Sequence, residues 1–154
     1  MGSEMCIRDS SYPLHELAHL SPQDWARRVV ELSDLRRDAA WQAANGQEFQ
    51  TLMDEMLAIR TMGVDEPGKI IGARRQIEAR QEHDTYERLS QLNMPTLVCG
   101  GRYDGIAPVD NQEALLRQIP TAQMSLFEGG HLFFTQDPKA FEEIIAFFKD
   151  EAML

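Results

Sequence analysis

Long apolar runs, cysteines and basic charge are all scarce in this 154-residue chain. No stretch of roughly 18 consecutive apolar residues occurs, which excludes a membrane-spanning helix of the usual kind. Two cysteines, Cys6 and Cys99, are too few for a disulfide framework. Cys99 lies in an apolar run, where a reduced, buried thiol is the plain expectation. Lysine and arginine total 15 against 25 aspartates and glutamates, a net charge of −10. That balance disfavours nucleic acid and anionic lipid as partners. The rest is ordinary for a globular chain, with 43% hydrophobic and 26% charged residues, which sets aside a disordered or fibrous protein. The length suits one domain with a core of its own.

Residues 1–10, MGSEMCIRDS, show no hydrophobic periodicity and read as a cloning or adaptor-derived scar. No apolar signal-peptide core follows the first residues. The expected compartment is therefore the cytoplasm, with the proviso that a scar in place of the native start would also hide a lost signal.

Two regimes follow. Residues 11–92 are helical in pattern. Ser21-Pro22-Gln23-Asp24 is a helix start, with a capping hydroxyl, proline at the first helical position and a carboxylate three residues on. Trp25, Val29, Leu32, Leu35 and Ala39 recur at helical intervals, predicting one helix that Asn45-Gly46 breaks. Phe49, Leu52, Met53, Met56 and Ile59 predict a second helix ending at Gly63, and Ile70, Ile71, Arg74 and Ile77 a third running towards His83.

Residues 93–154 change character. Thr96-Leu97-Val98-Cys99, closed by Gly100-Gly101, predicts a strand buried on both faces of a parallel sheet. Asp110 and Glu113 predict the cap of a helix through Leu115, Leu116 and Ile119. Gln123 to Phe127 reads as a second strand. Asp137-Pro138 starts a last helix with Phe141, Ile144, Ile145, Phe148 and Ala152 on one face. Strand, helix, strand, helix is the alternation of an α/β fold. Two strands alone do not form a stable open parallel sheet, so the pattern reads as the tail of a larger one. Exposed apolar surface, and self-association through an exposed sheet edge, are the corresponding expectations.

Two ionisable residues stand out. Asp104 follows the first strand in Gly100-Gly101-Arg102-Tyr103-Asp104-Gly105, and His131 follows the second in Glu128-Gly129-Gly130-His131. Open α/β sheets place ligands at the carboxyl ends of their strands. An imidazole oriented by a carboxylate is the base half of a nucleophilic triad. The plainer alternatives are an aspartate closing an Asx turn and a hydrogen-bonded loop histidine. His15-Glu16-Leu17-Ala18-His19 has the spacing of a zinc-protease motif, but it offers under two helical turns and no evident third ligand. A solvated histidine pair is the better reading there, and no metal is expected. Arg74, Arg75, Arg80 and His83 form a polar helix face, either solvated and paired with Glu78 and Glu82 or in contact with substrate.

Residues 94–108 and 127–131, in that order and separated by one helix, resemble the α/β-hydrolase superfamily. The resemblance implies the last two strands of that fold, with Asp104 matching the triad acid and His131 the triad base. It implies that the helices before them form the cap over the active site. Leu132 and Phe133 would then line the acyl pocket, and Arg74 and His83 would contact substrate from the cap. No cofactor is implied. The departure from the family is upstream: no serine is flanked by glycine at both second neighbours, and no HGGG-type loop occurs. The expectation is a C-terminal piece, 11–92 cap and 93–154 core, of a serine-type hydrolase acting on a small ester or lactone. Alone it would be inactive. The alternative is a non-catalytic binding or interaction module that keeps the scaffold.

Overall fold

The computed structural model describes residues 11–82 and 84–151. A 3-10 helix, Leu14–His19, leads into α1, Pro22–Ser33. Its start is as the sequence predicts: the Ser21 hydroxyl accepts from the Asp24 N–H at 3.1 Å and Pro22 occupies the first turn. The helix stops at Asp34, which is extended (φ −159°, ψ 105°), so the single predicted helix is two. Asp34 uses its side chain on the Arg36 N–H at 3.1 Å, a local bond that competes with helix continuation. Asp38 then caps α2, Ala39–Ala44, by accepting from the Trp41 N–H at 2.8 Å. Leu35, predicted on the apolar face, is accordingly 55% exposed.

Helix α3, Gly46–Thr61, packs on α1 through Ala26, Val30, Phe49 and Met53, the core of the helical half. A fully buried aliphatic side chain such as Val30 contributes about 1.5–3 kcal/mol. Beyond α3, Gly63 turns the chain with φ 66°, a conformation glycine adopts without steric cost. Helix α4, Lys69–Glu82, has Ile70 and Ile71 exposed. A second 3-10 helix, Tyr86–Gln91, precedes the first strand.

Strands β1, Thr96–Gly101, and β2, Ala122–Phe127, pair in parallel with Thr96 opposite Ala122 and Gly101 opposite Phe127. Helix α5, Val109–Gln118, connects them and packs on both. The Asp110–Glu113 cap does not form. Pro108 is the N-cap residue (φ −62°, ψ 162°), so Asp110 falls inside the first turn and Glu113 pairs with Arg117 at 3.6 Å. After β2 come a single turn, α6 (Phe133–Gln136), and the last helix α7, Lys139–Glu151. Phe134, Phe141, Ile145 and Phe148 stand 37–67% exposed. The α7 members of this group, Phe141, Ile145 and Phe148, form the expected stripe, which Phe134 of α6 meets only at Phe141, edge-on with centroids 6.2 Å apart. Ala152 lies outside the described residues. A second cluster, Leu17, Leu32 and Ile106, joins the helical half to the loop after β1. No helix is long and apolar enough to cross a membrane among the described residues.

Candidate active site

The loops after β1 and β2 leave the same end of the parallel pair, so Asp104 and His131 meet there. Register alone brings the loops together, and three further features fix them. Arg102 N–H donates to Phe127 O at 3.0 Å and Tyr103 N–H to Gly129 O at 2.9 Å. Gly101 sits against the Gly129 and Gly130 carbonyls so closely that a Cβ would overlap them. Arg102 and Glu128 add an exposed ion pair at 3.1 Å, which is worth little to stability.

Asp104 is 5% exposed and uses its two oxygens differently. Its Oδ1 accepts the N–H groups of Ile106 (2.8 Å) and Ala107 (2.9 Å). Its Oδ2 lies 2.9 Å from His131 Nδ1. The turn-forming role and the histidine-orienting role expected as alternatives are thus both filled, one by each oxygen. A carboxylate held by two backbone donors cannot rotate away from the imidazole. Protonation at Nδ1 satisfies this contact and leaves Nε2 as the basic nitrogen.

A third segment holds both loops. At the end of α1, Leu32 O accepts from Gly105 N–H at 2.8 Å and Ser33 O from His131 N–H at 2.7 Å, while Leu35 N–H donates to Tyr103 O at 2.8 Å. Asp34, in the middle of that segment and 2% exposed, accepts from Arg36 Nε (2.8 Å) and Nη2 (2.6 Å) and from Gln136 Nε2 (2.9 Å). Burial opposes its charge, but the Arg36 side-chain and backbone hydrogen bonds, the guanidinium charge and the Gln136 amide outweigh it, and its carboxyl is held below the usual range. None of Ser33, Asp34 and Gln136 was expected from the sequence. The one local signal was an aspartate two residues before an arginine at a helix end, and it names no distant partner.

A cavity of about 230 Å³ opens beside the pair, with Leu97, Cys99, Leu115 and Phe133 in its wall along with Asp104 and His131. The Asn111 and Gln112 side-chain oxygens are buried in the same wall with no hydrogen-bond partner among the described residues. Burial, with a smaller push from the Glu143 carboxylate, lifts the Cys99 thiol to about 11, so it is neutral and a poor nucleophile.

The other expected residues scatter. Phe133 lines the cavity and stacks on Phe127 with centroids 5.2 Å apart. Leu132 is 49% exposed and outside the cavity wall. Arg74 is on α4, exposed and paired with Glu78 at 3.3 Å, and is not among the residues lining the cavity. His83 lies outside the described residues. His15 and His19 are exposed on a 3-10 helix, whose three-residue turn does not align an i, i+4 pair. No cluster of three or more metal-ligating side chains exists among the described residues.

No family model matches the chain. It is 31% identical over 109 residues to a putative carbamate hydrolase, RutD, of Pseudomonas savastanoi pv. phaseolicola, covering 70% of this chain and 39% of that protein. It is 37% identical over 70 residues to a 2-hydroxy-6-oxononadienedioate/2-hydroxy-6-oxononatrienedioate hydrolase of Cupriavidus pinatubonensis, covering 45% and 24%. Among solved structures, an α/β hydrolase from a Medee basin deep-sea metagenome library superposes with a TM-score of 0.63 at 14% identity, over 89% of this chain and 48% of that one. A meta-cleavage product hydrolase (CumD) from Pseudomonas fluorescens IP01 superposes with a TM-score of 0.61 at 17% identity, over 92% and 51%. The chain thus spans about half the length of these solved chains and less of the two curated relatives.

Proposed function

We propose that the chain, which shares the fold of solved α/β hydrolases over about half their length, is the C-terminal portion, cap helices included, of a serine-type hydrolase of that superfamily. In this reading Asp104 and His131 are the acid and base of the triad. His131 takes the proton of an attacking serine through Nε2 and returns it to the leaving group, while Asp104 holds the tautomer and stabilises the imidazolium. The observation that carries the proposal is the 2.9 Å contact between Asp104 Oδ2 and His131 Nδ1, with Oδ1 anchored by two backbone N–H groups. The two curated relatives, both named as hydrolases, support hydrolytic chemistry. The substrate we propose is a small ester or lactone, with Phe133 on the wall beside the base. No serine of the chain stands in a G-x-S-x-G setting, so the nucleophile and oxyanion donors come from a segment outside these residues.

Hydrolysis of an activated aryl ester tests this. The 154-residue chain alone turns over no faster than free imidazole, for want of a nucleophile and oxyanion hole. A longer protein joining a G-x-S-x-G segment to this chain hydrolyses the ester, and His131→Ala lowers its kcat by about 10⁴-fold or more. Stoichiometric labelling of a serine in the short chain, or full activity of the His131 variant, would overturn the proposal. An inactive longer protein that still binds ester analogues would instead favour the non-catalytic module.

A further inference from the structure

We propose that Asp34 and Gln136 are positioning residues for His131, forming a relay that fixes the imidazole from the end of α1. Resting on the reading of His131 as a base oriented by Asp104, the inference adds residues that belong to neither loop motif.

Gln136 is the centre of the relay. Its Oε1 accepts from the Gly130 N–H at 2.7 Å and its Nε2 donates to Asp34 Oδ2 at 2.9 Å. The two partners dictate the amide orientation, since an N–H requires the oxygen and a carboxylate requires the nitrogen. Gly130 directly precedes His131, whose own N–H donates to Ser33 O at 2.7 Å. Two successive peptide N–H groups at the histidine are therefore held from one place, the Ser33–Asp34 bend. With its backbone held at these two N–H groups, His131 is aimed at Asp104 from the Ser33–Asp34 bend.

The bend in turn refers to the acid loop. Arg36 grips both oxygens of Asp34, and its guanidinium lies 4.4 Å from the centre of the Tyr103 ring, next to Asp104 in the chain. A helix end alone does not require an almost fully buried carboxylate, because serine or asparagine makes the same local bond to the backbone. What the carboxylate adds is a charged acceptor that orients Gln136 and retains Arg36. Acid loop and histidine loop thereby take their positions from one segment of the helical half.

The tautomer of His131 reports this directly. In the ¹⁵N-labelled chain, long-range imidazole spectra assigned with His131→Ala give the ratio of Nδ1–H to Nε2–H forms, and the wild type is dominated by Nδ1–H. Gln136→Ala lowers that ratio about fivefold, the equilibrium worth of one ordinary hydrogen bond. Asp34→Asn, nearly isosteric, shifts it the same way and serves if Gln136→Ala does not fold. A folded Gln136→Ala or Asp34→Asn chain with the wild-type ratio overturns the relay. Asp104→Asn separates the two claims. If it collapses the ratio while the relay variants do not, only the relay fails, and if it too leaves the ratio unchanged, the Asp104–His131 reading fails with it.

Discussion

His131 gives its backbone N–H to the carbonyl of Ser33 at 2.7 Å, and Gly130 lies so close to that carbonyl that no Cβ fits between them. The histidine loop and the end of α1 are in backbone-to-backbone contact, with no flexible side chain to absorb an intruding atom. Gly130→Ala is therefore expected to destabilise the fold by about 1–3 kcal/mol through overpacking. The denaturant midpoint falls with the slope unchanged.

The division of labour between the two oxygens of Asp104 separates stability from orientation. Asp104→Ala leaves the buried N–H groups of Ile106 and Ala107 without an acceptor, at a cost of about 1–3 kcal/mol for each group so stranded. Asp104→Asn keeps an oxygen for them and retains most of the stability, while placing an amide donor against Nδ1. Urea unfolding of the two variants distinguishes the effects, and equal losses would contradict the arrangement.

Asp34 makes the protein acid-sensitive. Its folded carboxyl titrates below the ordinary 3.8, despite burial, because of Arg36 and Gln136. A group depressed on folding adds stability that is complete above its unfolded value and lost as pH falls through its folded one. As pH falls from about 5 to below the ordinary carboxylate range, the wild type should thus lose stability more steeply than Asp34→Asn. Melting temperatures measured across that range check it.

Cys99 should be slow to alkylate. With its thiol lifted to about 11 from an ordinary 9.0, the thiolate population near neutral pH falls about a hundredfold. In a Cys6→Ser background, iodoacetamide labelling of the native chain is correspondingly slow and accelerates on unfolding. Rapid native labelling would show the thiol to be accessible and ionised.

The apolar stripe of α7 should drive association of the isolated chain. Phe141, Ile145 and Phe148 are 50–67% exposed on one helix face, and apolar patches of this kind promote contact between molecules. Sedimentation velocity should show concentration-dependent oligomers, reduced by Phe148→Glu. A monodisperse monomer at high concentration would contradict the expectation.

Local chemistry made much of this molecule legible in its sequence. Ser21-Pro22 marks a helix start, Gly63 a helix end, and Thr96-Leu97-Val98-Cys99 a strand, because each depends on neighbours within a few residues. Asp104 and His131 were legible as well. A residue just past the end of a parallel strand is carried to the same edge as its counterpart on the next strand, so order along the chain implied nearness in space.

Tertiary structure decided the rest. The break at Asp34 escaped the helical periodicity, since apolar spacing continued through it while the side chain turned to Arg36 and Gln136. Pro108 rather than Asp110 is the N-cap of α5, directly after the turn in which Asp104 holds the Ile106 and Ala107 N–H groups. Arg74 is exposed and paired with Glu78, the solvated arrangement that the helix spacing also allowed. Above all, the contacts of Ser33 and Asp34 with Gly130, His131 and Gln136 join chain segments remote in sequence. Hydrogen bonds of that kind leave no periodicity, because their partners are chosen by packing and not by spacing.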